Sequence, residues 1–140
     1  MRLWHKDMLS VLPRQQLLGQ WREICAIAKN IAEKGTPNHM LVNRIIEYPD
    51  EHFNQYAMMV CNEMHRRGYK CDFEKFIRLR GLRWTEHTVS YPIFWGWHND
   101  RYLRQSLYNL QEKHDCKAIP DDEWDRITQK FPGFKDKYPW

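Results

Sequence analysis

Apolar positions recur with a helical period along most of the chain. Leu17, Trp21, Ile24, Ala28 and Ile31 follow one another at spacings of four, three, four and three, which sets them on one stripe of a helix. Pro13 suits the first turn, where its missing N–H costs nothing, and Gly35 before Thr36-Pro37-Asn38 ends the element. A short helix is expected through Met40 to Ile46. Pro49-Asp50 opens a second long helix whose apolar face is Phe53, Tyr56, Ala57, Val60 and Met64, with Gly68 as its cap. Asp72 is placed to cap a short basic helix that stops at Gly81. Asn99 or Asp100 caps a third long helix with Tyr102, Leu103, Ser106, Leu107 and Leu110 inward. Asp121 caps a last short helix containing Trp124 and Ile127. The stretch "WTEHTVSYPIFWGW" (84–97) reads as an aromatic loop, because Pro92 and Gly96 oppose a regular element. The tail "FPGFKDKYPW" is aromatic, basic and irregular. The expected fold class is all-α: three long helices plus short ones in a single compact domain, 1–140, with no repeat and no linker.

Composition narrows this only slightly. A chain of 140 residues is long enough to bury a real core. No apolar run approaches the roughly 18 residues a membrane span needs, so no membrane partner is expected. The N-terminal "MRLWHKDMLSVL" has neither a continuous apolar core nor a small-residue cleavage site, which argues against a secretory signal. Cys25, Cys61, Cys71 and Cys116 form no C-x-x-C pair, and two lie in helical patterns; buried, reduced thiols in a cytoplasmic protein are expected. The seven histidines lack paired ligand spacing such as H-E-x-x-H, so no metal and no cofactor is expected.

Charge distribution says more than the net value of +4. Arg66 to Arg83 carries seven Lys/Arg against Asp72 and Glu74, whereas Glu47 to Glu63 holds four acids and no Lys or Arg. Residues 1–22 carry Arg2, Lys6, Arg14 and Arg22 against Asp7 alone. Such polarity fits a protein with one face toward a polyanion, and equally a random solvated face. Seven tryptophans add stacking capacity, although most belong in a core.

One position resists the helical account. Glu23 shares its face of the first helix with Gln16, Gly19, Ile27 and Asn30, while Arg22 lies beside Gln15, Leu18 and Lys29. Positions 19, 20, 26 and 27 hold no Lys or Arg, so an i,i+4 ion pair does not explain Glu23. Gly19, one turn earlier, costs about 1 kcal/mol relative to alanine. That cost makes sense if something must approach the helix closely beside Glu23. A solvated glutamate beside a glycine without meaning satisfies helix physics as well.

The run "LPRQQLLGQWRE", Leu12 through Glu23, resembles the pyrimidine-dimer-specific endonuclease V family, small phage-type DNA glycosylases with AP-lyase activity. The family's corresponding helix carries Gln, an aromatic and then Arg-Glu at a similar distance from residue 1. "MVCNEMHRRGYKCD" (Met59–Asp72) is similar to its second long helix, and "SLYNLQEKHD" (Ser106–Asp115) to its third. The resemblance is weak over about 36–56 and 73–100. It implies double-stranded damaged DNA as partner, acting on a flipped-out nucleotide. It also implies a nucleophile at the N-terminal amine, which displaces the base from C1′ and passes through an imine to β-elimination. Glu23 matches the family's essential carboxylate, and Arg22 a residue that holds the DNA backbone. Arg2, Gln15, Gln16 and Lys113 fall at further DNA-facing positions, and His39 is the histidine to watch as a loop contact. An α-amine suits such chemistry, since its ordinary pKa is near 8 against about 10.4 for lysine.

The departures are specific. The phage-type enzyme exposes threonine after Met removal, but residue 2 here is arginine, too large for the usual aminopeptidase. Met1 is therefore expected to be retained and to supply the amine, with a one-residue slip before Ser10 placing Arg2 at the family's second arginine. Position 16 is Gln for His, position 26 is Ala for Arg, and position 109 is Asn for Arg. The basic stretch 66–83 is the candidate replacement for those contacts. A monomer is expected, cytoplasmic and nucleoid-associated. A nucleic-acid-binding helical module without catalysis and a helical protein-interaction domain are the alternatives.

Overall fold

The computed structural model describes residues 1–134. Among these, the regular structure is helical throughout, with no strand. Five α-helices follow in order: α1 (Arg14–Lys34), α2 (Asp50–Arg66), α3 (Phe73–Arg80), α4 (Asp100–Asp115) and α5 (Asp121–Lys130). Short 3-10 turns occupy Lys6–Val11, Asn43–Glu47, Gly81–Arg83 and Pro132–Phe134. Residues 135–140 of the aromatic tail lie outside the described residues.

Local chemistry explains the boundaries. Pro13 precedes α1, and Gly35 closes it in the left-handed region at φ 75°, which a residue with a Cβ rarely adopts. Pro49 precedes α2. Its end is a left-handed step at Gly68, φ 84°, where Gly68 N–H donates to His65 O and Tyr69 N–H to Met64 O. The Asp72 carboxylate accepts from Lys75 N–H at the start of α3, and Asn99 Oδ1 from Tyr102 N–H at the start of α4. Three expectations shift. The helix expected over 40–46 is the 3-10 turn Asn43–Glu47. Asp121 is the first helical residue of α5, and Pro120, locked near helical φ, holds the cap position instead. Trp21 is only half-buried, lying along Phe73 and Phe76 of α3.

One hydrophobic core joins all five helices. α1 packs against α2 and α3, while α5 packs against the Lys6–Val11 turn and α4. The core reaches into both irregular regions. Leu3, Trp4, Met8 and Leu9 are buried ahead of α1. Ile93, Phe94 and Trp97 of the aromatic loop are buried too, leaving Tyr91 and Trp95 exposed. Among the described residues no disulfide forms. Cys25 and Cys61 are buried, Cys71 is half-buried, and Cys116 is exposed, contrary to the expectation that all four are interior.

The arginines of the basic stretch are engaged within the fold. Arg66 and Arg67 both donate to the buried Glu63. Arg80, buried and lying over the Phe53 ring, donates to Asn54 and Asp50, and Arg83 reaches the same Asp50. Arg78 pairs with Asp72. Four of the seven cations of 66–83 are thus matched by Glu63 and Asp50, while Lys70 and Lys75 form no ion pair among the described residues. Burial raises the Glu63 pKa, but the hydrogen bonds from the two arginines outweigh it and hold the carboxyl below its ordinary value.

Candidate active site

α1 carries the centre of the site. Glu23 projects from its middle, half-buried, toward the first residues of the chain. The nitrogen of Met1 lies 4.0 Å from Glu23 Oε1, and the Arg2 N–H donates to Oε2 at 3.1 Å. The two carboxylate oxygens therefore have separate tasks: one holds backbone, the other faces the amine. No Lys or Arg side chain pairs with Glu23 among the described residues. The carboxylate is not locked in an internal ion pair with another side chain.

A cleft of about 320 Å³ opens over this point. Met1, Arg2, Gln15, Gln16, Glu23 and Lys113 line it, together with Trp4, Gly19, Gln20 and Asn109. Six of the residues singled out from sequence thus share one hollow, contributed by the N-terminal segment, α1 and α4. Glu23 is its single acid, against Arg2, Lys113 and the terminal amine. Arg2 stretches over the Trp4 ring, 4.8 Å from its centre. The Oε1 of Gln16 is shielded from solvent without a hydrogen-bond partner, an arrangement buried acceptors seldom tolerate unless something else arrives.

Gly19 bears on the question the sequence raised. A Cβ built there meets only Arg22 Nη2, at 3.7 Å, an ordinary contact. Nothing inside the protein requires glycine at this position. The same contact shows that the exposed Arg22 folds its guanidinium back along the rim beside Gly19. Arg22 borders the cleft without lining it. His39 is elsewhere: it belongs to the turn after α1, where its N–H donates to Asn43 Oδ1 at 2.9 Å and its Nδ1 accepts from Leu41 N–H at 3.3 Å. Asn30 ties this turn to α1 through Pro37 O, two helical turns beyond Glu23 on the same face.

What the sequence did not disclose is how residues 2–6 are held. Gln20, buried on α1, spans two peptides: its Nε2 donates to Arg2 O at 2.8 Å and its Oε1 accepts from Trp4 N–H at 2.7 Å. Tyr56 of α2 donates to Trp4 O at 2.6 Å, and Tyr102 of α4 donates to Leu3 O. Burial pushes the Tyr56 hydroxyl well above its ordinary pKa and that of Tyr102 up to about 12, so both remain donors across the working range. His98 Nδ1 accepts from Lys6 N–H at 3.0 Å, with its ring 5.2 Å from that of His5. Burial, and then the neighbouring His5, Lys6 and Arg44, hold His98 well below the usual histidine range, so the accepting lone pair stays free of a proton. Gln20 did leave a trace in the sequence. It lies between Leu17 and Ile24 on the buried stripe, and a polar side chain there must find partners.

Among the described residues no group of three or more His, Cys, Asp or Glu is placed to hold a metal ion. No helix there is long and apolar enough to cross a membrane. A family model described as pyrimidine dimer DNA glycosylase matches residues 1–76, which include the N-terminal segment, α1 and α2. No curated protein and no solved structure matches the chain significantly.

Proposed function

Because the chain belongs to the pyrimidine dimer DNA glycosylase family, we propose that it excises damaged pyrimidines from double-stranded DNA through the amine of residue 1 and then cuts the strand as an AP lyase. The observation that carries this reading is the 4.0 Å approach of the Met1 nitrogen to Glu23 in a cleft with no other acid. The lone pair of the neutral amine attacks C1′ of the flipped nucleotide. The glycosidic bond breaks, and the base leaves with the bonding pair and takes up a proton. The attached nitrogen loses a proton, its lone pair forms the C=N bond as the C1′–O4′ pair leaves on O4′, and O4′ takes up a proton, giving the ring-opened imine. Removal of a C2′ proton then drives out the 3′ phosphate with its electron pair, and water hydrolyses the imine to free the amine.

Glu23 has two roles in this scheme. Its negative charge stabilises the cationic sugar, worth most in a partly shielded site. Its Oε1 stands where it can relay the protons. Arg2, Arg22 and Lys113 provide positive charge for the phosphates on either side of the lesion, and Gln15 and Gln16 provide amides for sugar or base edges. His39, in the turn after α1, meets the duplex beyond the reacting nucleotide. One lesion engages one amine, so the active species is a monomer.

The test is borohydride trapping on duplex carrying an abasic site, with peptide mapping of the crosslink. The expected outcome is a covalent adduct at the residue-1 amine, lost when that amine is blocked. Duplex binding without any adduct would point to a binding module instead.

A further inference from the structure

We propose that Gln20, Tyr56 and Tyr102 are positioning residues that clamp the backbone of residues 2–4 and so set where the residue-1 amine meets Glu23. The inference rests on the proposed function for its catalytic consequence, although the clamp itself is a matter of geometry. Three helices each contribute one side chain: Gln20 from α1, Tyr56 from α2 and Tyr102 from α4. Between them they hold Arg2 O, Leu3 O, Trp4 N–H and Trp4 O. Leu3 is fully buried beneath this network, so the strap cannot slide without exposing it.

Register is the telling feature. Gln20 precedes Glu23 by three residues, so amide and carboxylate project from adjacent turns of one face of α1. Gln20 fixes residues 2 and 4, and Glu23 Oε2 fixes the N–H of residue 2. A single turn of helix therefore measures the distance from strap to carboxylate. With Arg2 held at both its N–H and its C=O, residue 1 is left with few free rotations, and its nitrogen has a small volume to explore. Preorganisation of that kind raises the effective concentration of a nucleophile, and a displacement of about 1 Å costs on the order of 10²-fold in rate. An apolar side chain at position 20 would continue the stripe from Leu17 to Ile24 and fill the same space. It would leave two strap peptides without their partners.

The experiment uses Gln20→Met and, as the milder change, Tyr102→Phe, in the full chain. The first readout needs no chemistry: exchange of the Arg2 amide followed by NMR. That amide is bound to Glu23 and not to either altered residue. A clamp predicts exchange about tenfold faster in Gln20→Met, with amides in the middle of α2 unchanged. The second readout is the single-turnover trapping rate on abasic-site duplex, set against the Kd for duplex carrying a non-cleavable tetrahydrofuran site. Trapping should slow on the order of 10²-fold in Gln20→Met, and less in Tyr102→Phe, while Kd stays within about threefold. An Arg2 amide that keeps its protection, or trapping at the wild-type rate, overturns the clamp. Absence of a residue-1 adduct in the wild type overturns the proposed function instead, and the amide readout then decides the clamp alone. If Gln20→Met fails to fold, the same two readouts on Tyr102→Phe decide it.

Discussion

Two regions of this molecule are rich in charge, and they use it in opposite ways. Between Arg66 and Arg83 the five arginines are engaged: Glu63 takes two, Asp50 takes two and Asp72 one, while Lys70 and Lys75 form no ion pair among the described residues. Around Glu23 the charges are left open. Arg22 and Lys113 form no ion pair among the described residues, and Glu23 meets only the terminal amine and a backbone N–H. The arginines of the denser cluster are therefore tied to acids of the fold, and the sparser charges are available to a ligand. Counting basic residues along a chain does not show this difference; asking which of them already have a partner does.

That contrast can be broken by mutation. The largest effect belongs to the consumed region. Arg80→Ala strips a buried guanidinium from Asp50 and Asn54 and empties the space over Phe53, so urea unfolding should show a loss of about 3–5 kcal/mol. At temperatures where the variant is folded, lesion binding should remain. Unchanged stability would mean that this region is as open as the cleft. The next effect belongs to the open region. Glu23→Gln keeps an acceptor for the Arg2 N–H but removes the charge. Turnover should fall on the order of 10²–10³-fold, with duplex affinity near wild type and stability within about 0.5 kcal/mol.

A smaller effect separates the two regions by pH. His98, His5 and His52 have lowered native pKa values, chiefly through burial, so the unfolded chain binds protons that the native one refuses. Stability is whole above about pH 6.5 and falls as the pH drops below that, by up to about 1.4 kcal/mol per unit for each histidine that stays neutral. The loss levels off only below the native values. Glu63, whose native pKa is lowered by its arginines, contributes stability that disappears at more acid pH, below the ordinary carboxyl value of 4.5. Unfolding at pH 7, 6 and 5 therefore reports on His5 and His98 beneath the strap together with His52 against the aromatic loop. A flat profile across that window would show that they bear no such load. The smallest effect is at Gly19. Gly19→Ala should gain about 0.5–1 kcal/mol of stability, because helix propensity improves and the new methyl meets no obstruction. Affinity for damaged duplex should weaken by less than about tenfold. Unaltered affinity would mean that nothing approaches the helix there.

The helices were readable because their signals are local. Gly35, Asp72 and Asn99 act on peptides within a few residues, and the apolar stripe of α2 is a property of spacing alone. The same local signal lay in Glu63 with Arg66 and Arg67, pairs at i,i+3 and i,i+4, and a count of charges by segment passed over it. Arg80 carried no such signal, since its acid lies thirty residues away. The site divides likewise. Glu23 stood out because no neighbour on its helix explained it. Tyr56 and Tyr102 looked like ordinary core aromatics, and a hydroxyl does not reveal from sequence which distant carbonyl it will find.

The strap also has a position in time. Residues 2–6 leave the ribosome before any of the groups that hold them, and the last anchor on their backbone, Tyr102, follows Leu3 by ninety-nine residues. A nascent chain carries the amine and Glu23 early but cannot seat them together until most of the protein has been made. Truncated products that end before Tyr102 would therefore lack a contact that holds the strap beside Glu23.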